Sequence, residues 1–146
     1  MTSRELERYL HQHIPLSSAM EVTVLEVQPE QVTLSAPLAP NINHQDSVFG
    51  GSAAAVAVLA AWSLVHTRVT GTGLSARLVI QRSTMEFSAP ITGTFTARAF
   101  LDETRWDTFV NMLGRRGRAR VPVSCSLLFE GREAGHFEGA FVALSA

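Results

Sequence analysis

The sequence predicts an α+β domain in which an antiparallel sheet wraps around one long central helix. Three observations carry this expectation. The run from Gly50 to Val65 contains no charged residue, and only Ser52 and Ser63 bear hydroxyls; a helix that is apolar on every face must be enclosed. Much of the remaining chain alternates apolar and polar side chains with period two, as half-buried strands do. The strands and helices do not alternate regularly along the chain, which argues against a doubly wound parallel sheet. With 146 residues, the chain is long enough for one domain, 1–146, with one core.

The elements follow in order. Residues 2–14 read as an amphipathic helix. Thr2 and Glu5 are spaced for a capping box, Leu6, Tyr9, Leu10 and Ile14 share one face, and Pro15 is expected to stop it. Residues 20–27 and 31–36 read as two strands joined by the Pro29-Glu30 turn. Pro37 and Pro40 then open a loop that carries Asn41 and Asn43. The central helix follows, and Thr70-Gly71-Thr72-Gly73 marks a break after it. Residues 75–88 read as a long strand, with a turn at Pro90 and Gly93. Residues 94–101 read as another strand, with Phe95, Ala97, Ala99 and Leu101 on one face. Trp106, Phe109, Val110 and Leu113 recur at helical spacing, and Gly114 is placed to end that short helix. Residues 118–129 read as a strand in which Pro122 suggests an edge or a bulge. Glu130-Gly131 turns into the last strand, residues 132–144. A one-sided wrap leaves a sheet edge and part of the helix uncovered, so a homodimer is expected.

Composition narrows the function. The net charge of −1 gives no bulk attraction to nucleic acid or membrane. The single cysteine, Cys125, excludes an intrachain disulfide and alternates onto an apolar strand face, so it reads as a small buried hydrophobe. The apolar run Gly50–Val65 is shorter than the roughly 20 residues a bilayer requires. The N-terminus shows no signal-peptide pattern, and a cytoplasmic location is expected. The five histidines show no ligand spacing, and neither metal nor cofactor is expected.

The chemistry is expected where the Gly50-Gly51 pair opens the helix. The first N–H groups of a helix have no internal acceptor and attract an anion or a polarised oxygen. Asn43 is either a turn residue bonded to its own backbone or a donor to such an oxygen. Asp46, the nearest acid, either caps the helix or activates a water. His44 is a loop residue able to supply a proton. Ser52 either bonds back to the preceding turn or meets a ligand. Arg115, Arg116, Arg118 and Arg120 form the one basic cluster. It reads as a solvated turn or as a seat for phosphate or an acidic carrier.

The run Pro40-Asn41-Ile42-Asn43-His44, with Phe49-Gly50-Gly51-Ser52 and Leu59-Ala60-Ala61-Trp62, resembles the thioesterase family of the YiiD C-terminal type, a branch of the hotdog fold. The tail, Gly117-Arg118-Ala119-Arg120-Val121 and Phe137 to Leu144, is similar to that family too, so the resemblance spans nearly the whole chain. It implies a hotdog domain acting on acyl thioesters of coenzyme A or acyl carrier protein, with the thioester entering between two subunits at the helix start. The family includes enzymes that decarboxylate malonyl-acyl carrier protein to the acetyl form. Better-known hotdog thioesterases carry an acid on the central helix and a His before Gly-Gly. Those positions are Val58 and Phe49 here. Hydrolysis needs a base or a carboxylate nucleophile, whereas loss of carbon dioxide needs only a stabilised enolate.

The expectation is therefore a malonyl-thioester decarboxylase. Asn43, Gly50 and Gly51 would be donors, Asp46 a further catalytic candidate, and His44, Phe49, Ser52, Arg116 and Arg118 substrate contacts. The rival enzyme is a thioesterase using Asp46 or a water held by Asn43. A rival of another class is a non-catalytic acyl-thioester-binding module.

Overall fold

In the computed structural model, which describes residues 1–146, six strands form one sheet. They are β1 (Thr23–Val27), β2 (Gln31–Ala36), β3 (Ala76–Phe87), β4 (Phe95–Phe100), β5 (Arg118–Phe129) and β6 (Arg132–Ser145). Their spatial order is β1-β2-β4-β5-β6-β3, and every pairing is antiparallel. One rung, Val27–Val32–Ala99–Cys125–Phe137–Met85, crosses all six strands and carries only apolar side chains. Because side chains alternate across a strand, that rung fixes which face looks inward.

The inward face receives α3 (Gly50–Gly71), which packs across β2, β4, β5, β6 and β3. Its buried side is built from Ala53, Val56, Ala57, Ala60, Ala61 and Leu64. The alanines let the helix axis approach the sheet, and the bulk comes from Phe95, Phe137 and Phe141, which are at most 1% exposed. Truncating one such Phe to Ala would cost about 3–5 kcal/mol.

Three further helices close the ends. α1 (Ser3–His13) starts with the Thr2–Glu5 capping box and buries Leu6 and Leu10. α2 (Pro15–Ala19) follows at once. α4 (Glu103–Arg116) buries Trp106, Phe109 and Leu113. Arg68 of α3 pairs with Glu103 at 2.5 Å and lies 4.3 Å over the Trp106 ring, tying α4 to the central helix.

Several local expectations change. Pro15 does not simply stop a helix; it is the first residue of α2, where its missing N–H costs nothing. The first strand begins at Thr23, not at residue 20. α3 runs six residues beyond Val65 and ends inside the expected break, at Gly71 with Thr72 as its cap, 22 residues in all. That length and composition would suffice to cross a membrane, so shortness is not what argues against a span; burial of most of the helix against the sheet is. Nor is α3 enclosed all round, because Ala55, Val58 and Trp62 are only partly buried. α4 continues through Gly114 and ends at Gly117, whose φ of 71° is the left-handed cap. Pro122 lies beyond the β4 ladder, which covers only Ser124–Leu128, so β5 has a strand neighbour on one side there. The Glu130-Gly131 turn has positive φ at both residues, the mirror-image turn that matches strand twist.

The two sheet edges are treated differently. At β1, the Val24 N–H donates to Glu7 of α1 at 2.8 Å, and the His11 ring meets the neighbouring Val22 carbonyl at 2.8 Å. At β3 the edge is bare apart from the Leu78 carbonyl, which accepts the Trp62 indole N–H at 3.3 Å.

Candidate functional site

The loop before α3 is held in shape by its two asparagines. Asn41 is 1% exposed. Its amide donates to the Met20 and Pro37 carbonyls at 3.0 and 2.8 Å, and its own carbonyl accepts the Phe49 N–H at 2.7 Å. It thus joins the end of α2 to the start of α3. Asn43 closes the turn. Its Oδ1 accepts the N–H groups of Gln45 (2.8 Å) and Ser47 (3.1 Å), and its Nδ2 donates to Ser47 Oγ at 3.0 Å. This is an Asx turn, and the second Nδ2 hydrogen has no protein acceptor. The Ile42–Val48 bridge and the Asn43 N–H to Ser47 carbonyl bond complete the loop.

The helix that follows has no side-chain cap. Its N-cap is Phe49, and its first turn holds no acid. Ala53 N–H bonds the Phe49 carbonyl at 3.0 Å, but the N–H groups of Gly50, Gly51 and Ser52 have no acceptor within the protein. Three aligned donors at the positive end of a 22-residue helix form an anion- or oxyanion-binding feature. Two exposed phenyl rings flank it. A Cβ on Gly51 would overlap the Phe49 ring, and one on Gly50 would lie 3.6 Å from Phe87 Cζ. Both rings are 57% exposed.

Asp46 is exposed and left-handed, with φ of 62°, and its carboxylate makes no hydrogen bond. The capping role open to it in the sequence is not realised. His44 is exposed, and its ring likewise makes no hydrogen bond. Ser52 Oγ does not bond back to the preceding turn, so that one of its two readings is not realised, and Ser63 Oγ is buried without a partner. Thr67, one turn on, does make that bond, to the Leu64 carbonyl at 3.1 Å.

Along the open side of α3 runs a wholly apolar cavity of about 310 Å³, walled by Ile14, Met20, Val58, Trp62, Ile80 and Phe141 among others. Val58 therefore puts a methyl-lined wall at the position where an acid was considered. Next to it Trp62 stacks on His66, and His66 on Tyr9, at centroid distances of 4.5 and 4.7 Å. Burial, and then the neighbouring His13, hold the His66 pKa below the ordinary histidine value.

The basic residues lie elsewhere. Arg116 ends α4 and Arg118 opens β5. The rung Arg118–Leu144–Arg77 sets them at the first end of β3, whereas Phe87, which meets Gly50, is at the last. Ten residues at about 3.3 Å each separate those ends. Within one chain, the arginines and the helix start are not brought together.

Residues 3–145 match the model of the family described as "Putative thioesterase (yiiD_Cterm)". The chain belongs to that family. Solved structures agree with the assignment. A protein of unknown function from Chlorobaculum tepidum TLS is 26% identical over 99% of this chain and 94% of its own, with a TM-score of 0.93. The "putative thioesterase" of Shewanella oneidensis is 25% identical over 97% of this chain and 96% of its own, with a TM-score of 0.89. A Haemophilus influenzae thioesterase, 12% identical over 99% and 92% with a TM-score of 0.80, shares the fold. The architecture is thus the hotdog of this thioesterase-like family.

Two features of this YiiD-type site were not read from the sequence. Phe87 sits in an ordinary alternating strand, and nothing local marks the end of β3 as the neighbour of Gly50. Asn41 had a signal, the Asn-x-Asn spacing, but its role depends on Met20 and Pro37, which only the fold brings near.

Proposed function

We propose that this chain acts on an acyl thioester at the start of α3, and that the reaction is decarboxylation of a malonyl thioester, carried by acyl carrier protein, to the acetyl form. The observation that carries the reading is the set of three unpaired N–H groups at Gly50, Gly51 and Ser52, beside a helix face with no acid. In this reaction the bond between C2 and the carboxylate breaks. Its electron pair moves into the thioester as an enolate, carbon dioxide leaves, and C2 then takes a proton. Charge grows on the thioester oxygen, where the N–H groups stabilise it. The free Nδ2 hydrogen of Asn43 is a further donor in this reading, with its Oδ1 anchored by the turn. No base is required for the bond that breaks. His44 is an exposed loop group available to supply the final proton. Phe49 and Phe87 shield the reacting atoms from water, which strengthens those donors. The active unit is a homodimer.

A second reading has its own observation. The apolar cavity of about 310 Å³ is larger than a malonyl group needs, and it suits hydrolysis of longer acyl thioesters, with Asp46 as the base.

Mass spectrometry of malonyl-carrier protein after incubation with the pure protein separates the readings. Acetyl-carrier protein supports decarboxylation. Free-thiol carrier protein, from malonyl or longer acyl forms, supports hydrolysis. Binding of acyl thioesters without turnover overturns both and leaves a binding module. Asn43→Asp keeps the Oδ1 bonds of the turn and removes the donor; a fall in rate of about 10²–10³ is expected if Asn43 serves the oxyanion.

A further inference from the structure

We infer that the groove between α4 and the first half of β5 binds a nucleoside diphosphate, with Arg105 and Arg120 on its phosphates. This cavity of about 330 Å³ is walled by Arg105, Thr108 and Met112 of α4 and by Arg120 and Pro122 of β5, over Phe109. The rung Arg120–Val142–Val79 sets it toward the end of the sheet away from Phe87 and Gly50. The inference is therefore independent of the thioester reading.

The first support is charge. Two guanidinium groups line the walls and no carboxylate does, and neither arginine has a salt-bridge partner in the chain. At about 100° per residue, Arg115 and Arg116 continue the groove side of α4 beyond Met112, whereas Glu103 and Asp107 fall on the other side. Arg118 shares the strand face of Arg120. Asp102 is close enough to Arg105 for their charges to interact. Its carboxylate, however, is engaged by the Thr104 N–H at 3.0 Å and hydroxyl at 2.8 Å. In a chain of net charge −1, this groove is a local concentration of unpaired cations, all of them Arg, whose planar fork matches phosphate oxygens.

The second support is the edge of β5. The Ser145 N–H donates to the Gly117 carbonyl at 2.8 Å. Odd-numbered residues of β5 therefore bond to β6, and even-numbered ones turn their N–H and C=O groups away from it. From Ser124 to Leu128 those groups meet β4, but at Arg118 and Arg120 no strand lies on that side. No loop or cap hydrogen bond takes up their N–H groups either. Pro122, the next such position, has no N–H to leave unpaired. Main-chain donors thus open onto the same groove as the two guanidinium groups, and bonds from both to phosphate are charge-assisted.

The third support is the apolar floor. Met112 is 39% exposed, and it faces Pro122 across the groove over Phe109. Inorganic phosphate would leave that surface bare. A ligand with a flat, weakly polar body covers it, and the cavity is at the lower end of the size range of small-molecule sites, roughly 300–1,000 Å³.

The test is calorimetric titration of the full chain at about 0.15 M salt, where distant charges are screened. ADP is expected to bind, pyrophosphate to bind more weakly, and adenosine not to bind. Arg105→Ala and Arg120→Ala should each weaken ADP about tenfold or more. Arg120→Lys keeps the charge but loses the fork, and should fall between Arg120→Ala and wild type. Arg132→Ala removes an equal charge at the far β5–β6 turn and should leave binding unchanged. Urea unfolding checks that each variant is folded. No binding of ADP at millimolar concentration, adenosine binding as well as ADP, or equal losses in Arg132→Ala and Arg120→Ala overturns the site. Coenzyme A carries the same diphosphate on adenosine. Displacement of ADP by coenzyme A would make the coenzyme a source of the ligand, and no displacement would restrict the site to free nucleotides.

Discussion

Replacing Asn41 tests the link between the loop and the helix start. Its amide satisfies two carbonyls, Met20 and Pro37, while its own Oδ1 is buried without a partner. Asn41→Ala strands both carbonyls, at about 1–3 kcal/mol each, and relieves one unpaired oxygen of similar cost. The net loss expected is about 1–3 kcal/mol. Asn41→Asp keeps the shape but aims an oxygen at two carbonyl oxygens, and as an ion it is buried as well. It should therefore be the less stable of the two at pH 7. Lowering the pH protonates that carboxyl, which then donates to one carbonyl, so the gap between the two variants should narrow toward pH 5. Urea unfolding followed by the fluorescence of Trp62 and Trp106 measures all three proteins. An aspartate variant equal to or milder than the alanine variant at pH 7 would refute the reasoning, and so would two variants as stable as wild type.

Three further outcomes are expected. His66 is held below its ordinary pKa of 6.5 by burial and His13. The unfolded chain therefore binds a proton there more readily, and stability should fall as pH drops below about 6.5 and be flat above it; His66→Gln should flatten that slope in urea titrations from pH 5 to 8. Burial pushes the Cys125 thiol far above its ordinary range; a thiol reagent at pH 8 should label it only as fast as urea unfolds the chain. Arg68→Ala loses the stack on Trp106 and the pair with Glu103 and should cost about 1–2 kcal/mol in urea unfolding. Glu103→Gln should cost less, because that carboxylate is 53% exposed.

Much of this fold was legible because it rests on patterns that survive without partners. The Thr2–Glu5 box, the strands at 31–36 and 118–129, and the uncharged run of α3 are local signals, and the sheet alternation chose the buried faces correctly. What was not legible depended on contacts across the chain. The last six residues of α3 are helical because Val69 is buried and Arg68 reaches α4; the Thr-Gly pairs then end the helix, with Thr72 as its cap and Gly73 in the left-handed region. Gly114 stays within α4 because Gly117, three residues on, takes the left-handed cap. At the site, the Gly50-Gly51 start was found from sequence, and Asn43 was placed between two readings. The turn hydrogen bonds make it a structural residue and leave one N–H free. Its neighbour Phe87 comes from 37 positions away from Gly50 and carries no motif.

The aromatic residue at the head of α3 sets stability against activity. Phe49→Ser or Phe49→Asp would supply the missing acceptor to Gly51 or Ser52 and stabilise the helix by about 0.5–2 kcal/mol. Heat selection on this protein would therefore favour such a change. The new oxygen would hold the same N–H groups that the proposed substrate needs, so the variant would melt later and turn over more slowly. A family member with a well-capped central helix would, on this logic, have stopped binding there.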